Sequence, residues 1–439
     1  MWLLQRCGVR FLKALAPCRR RPYSVHPPGS VMETLYNRIK LTGPIQVASY
    51  MKECLLHPTT GYYMQKDVFG ARGDFTTSPE ISQVFGELVG VWVLADWMVG
   101  GEPREWSLVE LGPGRGTLTK DILRVFGQFR RVLDSLSVHL VEASPTMSHL
   151  QEKTLTGEER EVVETGQRAL FEESPYKTCT LESGVPVHWY QRLEDVPLSH
   201  SYIIAHEFFD ALPVHQFQGT EEGWREVLVD IDPEKSDMSL RFVVAPGPTP
   251  ASAAFSSLLP SRPSASGEEG EGGRVRQAEV CPEGLLVAKE IGRRVVEHGG
   301  AALVVDYGSE TATNHTLRGF RSHQLHDVLT DPSSADLTAD VDFGALSRAS
   351  QGEGAGYAGP ITQNEFLHKM GIRQRMQVLL DKANLSEAEQ LLSGYEMLTS
   401  PEKMGERFKF LTITSSPSHI PTPFVAGVEP FPPRPRTNI

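Results

Sequence analysis

Apolar and polar positions along the 439-residue chain change period near residue 105. Upstream, residues 31–56 place apolar side chains at helical spacing, and Thr42, Gly43 and Pro44 split the run into two pieces. A stretch rich in glycine, threonine and aromatics follows, HPTTGYYMQKDVFGARGDFTTSPE, residues 57–80. Ser78 is the expected N-cap and Pro79 the first helical residue of a long helix over about 80–99. The most apolar window, Ile81 to Val99, contains Glu87 and Asp96. It therefore predicts a helix packed inside a domain, and no membrane span.

Beyond residue 105, short apolar runs alternate with helix-like ones. Strands are predicted at 106–111, 137–142, 186–190, 201–206 and 301–306, with helices at 117–127, 145–155 and 282–297 between them. Short apolar strands separated by helices require a parallel sheet covered on both faces, an α/β doubly wound fold. Residues 246–278 are dominated by Pro, Ser, Ala, Gly and Glu and read as a mobile insert. A proline-rich tail follows, expected to be disordered. The expected organisation is a leader (1–30), an N-terminal helical segment over cofactor and substrate (31–104), a catalytic domain (105–412) and the tail (413–439).

Charge changes the picture at the N-terminus. Residues 1–32 carry Arg6, Arg10, Lys13, Arg19, Arg20 and Arg21 but no acid, with leucines and valines interleaved. That pattern predicts a mitochondrial transit peptide, cleaved near Tyr23–Ser24. The whole chain carries a net charge of −12, and loss of the leader would make it more acidic still. Such a balance argues against nonspecific nucleic-acid binding. Cys54, Cys179 and Cys281 are far apart and carry no metal-like spacing. His323 and His326 form H-x-x-H without completing ligands, so no metal is expected.

Candidate chemistry centres on VELGPGRGTLTKDIL, Val109 to Leu123. Gly112, Gly114 and Gly116 let the backbone turn tightly and approach a ligand, and Thr117 is positioned to cap the next helix. A phosphate loop needs Gly-Lys-Ser/Thr after its second glycine, and Gly116 is followed by Thr-Leu. A dinucleotide fingerprint needs G-x-G-x-x-G, and the spacing here is G-x-G-x-G. An adenosyl ligand without pyrophosphate suits that spacing. Glu142 falls at the tip of the next strand, where it can accept both ribose hydroxyls or serve as a helix-entry charge before Ser144-Pro145. The fourth strand runs into HEFFDALPV, residues 206–214. Glu207 and Asp210 lie close enough to repel unless they share a cation, and Phe208 and Phe209 are candidate pocket walls.

In order along the chain, HPTTGYY, GDFTTSPEISQVFGE, VELGPGRGTL, LVEASP, HEFFDALPV and VVDYG resemble the MidA family of mitochondrial S-adenosylmethionine-dependent methyltransferases over about residues 31–245 and 279–412. Members of that family usually carry Asn where this chain has His206. The resemblance implies a seven-stranded class I methyltransferase core in the mitochondrial matrix, with S-adenosyl-L-methionine as cofactor. It also implies symmetric dimethylation of an arginine in a core subunit of respiratory complex I, early in assembly. Carboxylates can grip a guanidinium bidentately, and Glu207 and Asp210 are the candidates for that role. Gly112, Gly114, Gly116 and Glu142 are the expected cofactor contacts, with Phe75 and Thr77 folding over it and Tyr62 and Tyr63 as further candidates. Two other readings remain open at this point: a nicotinamide-dependent oxidoreductase, and a non-catalytic assembly chaperone on the same scaffold. Oligomeric state, including a homodimer, is not decided by sequence.

Overall fold

The computed structural model describes residues 30–65, 76–157, 174–235, 238–259, 277–311 and 314–425. The predicted leader lies outside them. At the centre is a nine-stranded sheet. Seven of its strands are β1 (Trp106–Leu111), β2 (Leu136–Val141), β3 (Pro186–Tyr190), β4 (Ser201–His206), β5 (Gly300–Ser309), β6 (Gly356–Thr362) and β7 (Phe408–Thr414). They lie in the order β3-β2-β1-β4-β5-β7-β6. β1 is parallel to both β2 and β4, whereas β7 runs antiparallel between β5 and β6. Lys177–Thr180 adds an antiparallel edge beside β3, and Val341–Asp342 pairs in parallel with the far end of β5. The order reverses between β1 and β4, so a crevice opens there at the strand tips.

Every residue of β1 and β4 is buried, because helices cover both faces. Leu108, Ile204 and Leu303 face one layer, packed on Phe85, Val89 and Ile122. Val109, Ile203 and Val304 face the other, packed on Ile291, Val295 and Leu346. The helix Gln83–Val99 lies close on Thr117–Phe126. A Cβ on Gly86 would sit 2.5 Å from Cβ of Asp121, so only glycine permits that approach.

Two further sheets flank the core. A five-stranded antiparallel one contains Ile45–Gln46, His215–Thr220, Gly223–Ile231, Leu240–Val244 and Gln277–Val280. A three-stranded one contains Arg318–Arg321, Gln324–His326 and Asp336–Thr338. The N-terminal helices Val31–Thr42 and Val47–Leu56 share a core with both, through Tyr50, Met51, Val229 and Leu337.

The five predicted strands begin and end within a residue of expectation except β5, which continues to Ser309, whereas β6 and β7 were not predicted. Four local expectations need correction. The helix expected over 80–99 is broken at Ser82, whose backbone is extended (φ −154°) and whose hydroxyl accepts from the Val84 amide. Ser78 is therefore not the N-cap of the long helix; it opens a short turn, Ser78–Ile81, with Thr77 at the cap position. The insert is narrower than 246–278: Thr249 and Ser252 form a capping box on the helix Pro250–Ala254, and Leu259 packs on Phe217 and Val280. Only 260–276 of it lie outside the described residues. The tail does not detach at 413. His419 Nε2 lies 2.8 Å from Asp96 Oδ1, and Phe424 packs against Phe366 with ring centres 6.1 Å apart. Proline content predicted the irregular backbone there but not these side-chain anchors.

Candidate active site

The crevice at the strand tips is a cavity of about 1040 Å³. Its wall includes Gly112, Gly114, Glu142, Glu207 and Asp210, so one space touches the glycine loop and both predicted carboxylates.

The loop is held open by backbone geometry. Gly112, Gly114 and Gly116 have φ of 61°, 52° and 80°, a region that side chains disfavour. A Cβ on Gly112 would stand 3.0 Å from Cδ2 of Phe208. Gly116 itself takes the N-cap position of the following helix. Thr117, expected to be the cap, instead donates its hydroxyl to Glu80 Oε1. Arg115 pairs with the same carboxylate at 3.4 Å. The N-terminal turn is thus fastened to the glycine loop.

Glu142 sits just beyond β2. Its Oε1 accepts from the Ser144 amide at 2.7 Å, and its Oε2 accepts from Gln151 Nε2 at 2.9 Å. The same Gln151 nitrogen donates to the Gly114 carbonyl at 2.8 Å, and its Oε1 accepts from Trp189 Nε1 at 2.8 Å. Gln151 therefore sets loop and acid at a fixed spacing. Burial pushes the Glu142 carboxyl up to about 7, against the pull of these donors. Glu142 serves the helix entry through the Ser144 amide and also lines the cavity.

Glu207 follows β4 with φ 48°, left-handed for a non-glycine residue. Its Oε1 faces the Ser78 amide at 3.4 Å and His206 Nε2 at 3.4 Å. Its carboxyl is held well above the ordinary range, first by burial and then by the neighbouring Asp210. Asp210 accepts from the Tyr307 hydroxyl through Oδ2, whereas its buried Oδ1 has no hydrogen-bond partner. Burial pushes Asp210 up to about 6, while Tyr307 and Arg318 pull it down.

The structure divides the paired aromatics. Phe208 and Tyr63 line the cavity, whereas Phe209 and Tyr62 are buried in cores. Thr77 lines the cavity, and Phe75 lies outside the described residues. His206 is buried, and burial drives its imidazole down to about 3, so it is neutral at working pH.

Several residues that sequence reasoning did not single out also shape the site. Asp306, at the tip of β5, accepts from the backbone amides of Phe209 and Tyr307 at 3.0 and 2.9 Å and so fixes the turn carrying Asp210. Its signal was present in VVDYG. Glu110 lines the cavity from β1, accepts from the Thr119 hydroxyl and is pushed by burial to about 8. Asp336, Arg318 and Tyr307 line the far end. The Arg318 guanidinium lies 4.9 Å above the Tyr307 ring and donates to Asp340 at 2.6 Å. Asp336 and Arg318 belong to the accessory three-stranded sheet, and no motif marks them.

Residues 88–361 match the profile of a family of S-adenosyl-L-methionine-dependent methyltransferases. The chain belongs to this family. Relatives agree: the zebrafish (Danio rerio) mitochondrial protein arginine methyltransferase NDUFAF7 is 49% identical over 88% of this chain and 87% of its own length. The proteins of the same name from Rattus norvegicus and Homo sapiens are 51% and 49% identical, over 87% and 88% of this chain and 84% of each relative. Among solved structures, a Burkholderia thailandensis protein bound to S-adenosyl-homocysteine superposes with a TM-score of 0.67. It is 23% identical, with 88% of this chain and 91% of that one covered, and shows the shared class I methyltransferase fold.

The cofactor of this methyltransferase family is S-adenosyl-L-methionine, and the cavity fits it. Gly112 and Gly114 line the cavity, where the absence of a side chain at Gly112 also makes room for Phe208, Glu142 offers carboxylate acceptors, and the buried acids beyond suit a positive sulfur.

Proposed function

We propose that this methyltransferase is a mitochondrial protein arginine methyltransferase, which symmetrically dimethylates an arginine in a core subunit of respiratory complex I during early assembly in the matrix. The single observation that carries this reading is the shared cavity, with the glycine loop and Glu142 in one wall and the buried Glu207 and Asp210 in another. The names of the relatives, which specify arginine and mitochondria, agree with it. So does the resemblance to the MidA family. On this reading the basic leader directs import, and residues 31–104 cover the site.

S-adenosyl-L-methionine supplies a methyl group on a positively charged sulfur. Gly112, Gly114, Glu142 and Thr77 hold and cover it, and Gly116 supports the loop from the N-cap position of the next helix. Glu207 and Asp210 bind the guanidinium of the substrate and turn one nitrogen toward the methyl group. A guanidinium is protonated at any working pH, so the attacking nitrogen must shed a proton. Asp210, whose carboxyl lies at about 6, is suited to receive it.

The test is to compare complex I subunits by mass spectrometry after complementation with wild type, Glu207→Gln or Asp210→Asn. Loss of an arginine dimethyl mark in both variants, with S-adenosyl-L-methionine affinity retained, is the expected result. Full methylation by either variant, or a mark that never depends on this protein, overturns the assignment. Rescue of complex I by a variant unable to bind cofactor would favour a scaffold role instead.

A further inference from the structure

The cavity wall carries apolar side chains that stand open to water. Leu56, Leu286 and Leu325 belong to it and are 40%, 65% and 74% exposed. They come from three separate segments. Leu56 ends the helix Val47–Leu56, and Leu286 lies near the start of the helix Pro282–His298. Lys52 Nζ lies 3.2 Å from Glu283 Oε1, so the two helices meet there. Leu56 follows Lys52 by four residues and Leu286 follows Glu283 by three, which sets each leucine on the helix face that carries the ion pair. The two charges at this junction pair with each other and leave the leucines as its open surface.

Leu325 is presented by a two-residue hairpin. Its strand partner is Phe320, which lines the same cavity, and Arg321 pairs with Gln324 next to the turn. Ser322 and His323 make the turn with φ of 50° and 61°, the left-handed conformation that two-residue hairpins usually give to Asn-Gly. Residues other than glycine adopt it at a cost, and such cost is typically retained where a function needs the shape. The turn fixes the register that sets Leu325 beside Phe320 on one face of the hairpin.

A protein side chain that reaches Glu207 and Asp210 must do so from a backbone lying across the cavity mouth. Side chains of an extended chain alternate, so the residues two places before and after the inserted one point the same way. Those are the positions that meet exposed leucines. We propose that Leu56, Leu286, Leu325 and Phe320 form a docking rim for the substrate polypeptide, bound as an extended segment with apolar side chains two residues to either side of the modified arginine. The inference rests on the arginine methyltransferase reading and adds a sequence preference to it.

The test uses the full chain with S-adenosyl-homocysteine bound, and titrates acetyl-Leu-Gly-Arg-Gly-Leu-amide and acetyl-Ser-Gly-Arg-Gly-Ser-amide by calorimetry or NMR. Wild type is expected to favour the leucine peptide by roughly tenfold, which partial burial of two leucine side chains supplies. The double variant Leu286→Ser/Leu325→Ser should lose that preference. Its affinities for S-adenosyl-homocysteine and for the serine peptide should stay within about twofold of wild type, because exposed substitutions disturb the fold little. Leu385→Ser, at a leucine 80% exposed on the helix Leu385–Thr399 and outside the cavity wall, should keep the preference. Equal affinity of the two peptides for wild type, or a preference intact in the double variant, overturns the proposal. So does a change in sedimentation between wild type and double variant, which would assign the rim to a second copy of this chain. Failure of the function assignment reads differently: replacing the peptide's arginine by alanine would then leave its affinity unchanged, which overturns both, whereas a failed rim leaves the dependence on arginine in place.

Discussion

The Tyr307 hydroxyl donates to Oδ2 of Asp210, joining the tip of β5 to the acid that follows β4. This bond opposes burial, which raises the Asp210 carboxyl to about 6 even with the bond in place. Tyr307→Phe should therefore raise the Asp210 carboxyl further and leave less carboxylate at neutral pH. The acid limb of the methylation pH profile should move to higher pH, with activity recovering above pH 8. An unchanged profile would separate Tyr307 from the chemistry.

The glycine loop can be probed with one side chain. Gly114 lines the cavity with φ 52°, so a β-branched residue there is both strained and in the way of the nucleoside. Gly114→Val should abolish S-adenosyl-L-methionine binding by calorimetry while circular dichroism still reports the α/β fold. Retained affinity would remove the loop from the cofactor site.

Glu142 makes the affinity depend on pH. Its carboxyl, pushed to about 7 by burial, is charged above that value and neutral below it. Cofactor affinity should weaken as pH falls through 7. Glu142→Gln should bind roughly 10- to 100-fold more weakly than wild type at pH 8, the usual cost of losing a charged acceptor, and should show little pH dependence. Isothermal titration between pH 6 and 8 distinguishes the two.

Glu110 predicts an inverted stability profile. Its ordinary value of 4.5 is raised to about 8 by burial in the folded chain. Between those values the folded state keeps a proton that the unfolded state releases, so stability declines as pH rises across that window. Glu110→Gln should melt higher than wild type at pH 8 and show a flatter pH dependence, provided its bond from Thr119 is kept. Differential scanning calorimetry of both proteins at pH 6 and 8 provides the comparison.

His419 anchors the C-terminal segment, and its contribution also falls as pH rises. Its bond to Asp96 raises the imidazole above 6.5, so this anchor is strongest below that pH and weakens as pH rises through the folded value. Hydrogen exchange over 415–425 should be slow at pH 6 in wild type and faster in His419→Ala. Equal protection in the two would assign the docking to Phe424 alone.

Strand positions and the crevice were legible because both faces of the sheet are covered, which makes β1 and β4 continuous apolar runs. The glycine loop was legible as a wall of that crevice because glycine has few other reasons to recur at every second position. What could not be read lies in pairings between distant segments. Nothing local marks Asp336 as a partner of Tyr63, 273 residues away. Gln151 is an ordinary helix residue by sequence, and only the fold brings it between Gly114 and Glu142. The paired aromatics divided for a similar reason: in Tyr62-Tyr63 and Phe208-Phe209, adjacent rings face opposite ways, and sequence does not say which faces the cavity.

The bonds from Ser78 to Glu207, from Glu80 to Thr117 and Arg115, and from Tyr63 to Asp336 have a practical corollary for anyone seeking a compact alkylating module. Trimming the chain to begin at Trp106 would keep all seven strands but bare one face of the sheet, because the helix Gln83–Val99 packs there through Phe85, Val89 and Trp92. It would also strip away these described tethers to the reacting end. Here the N-terminal segment belongs to the core and to the catalyst alike.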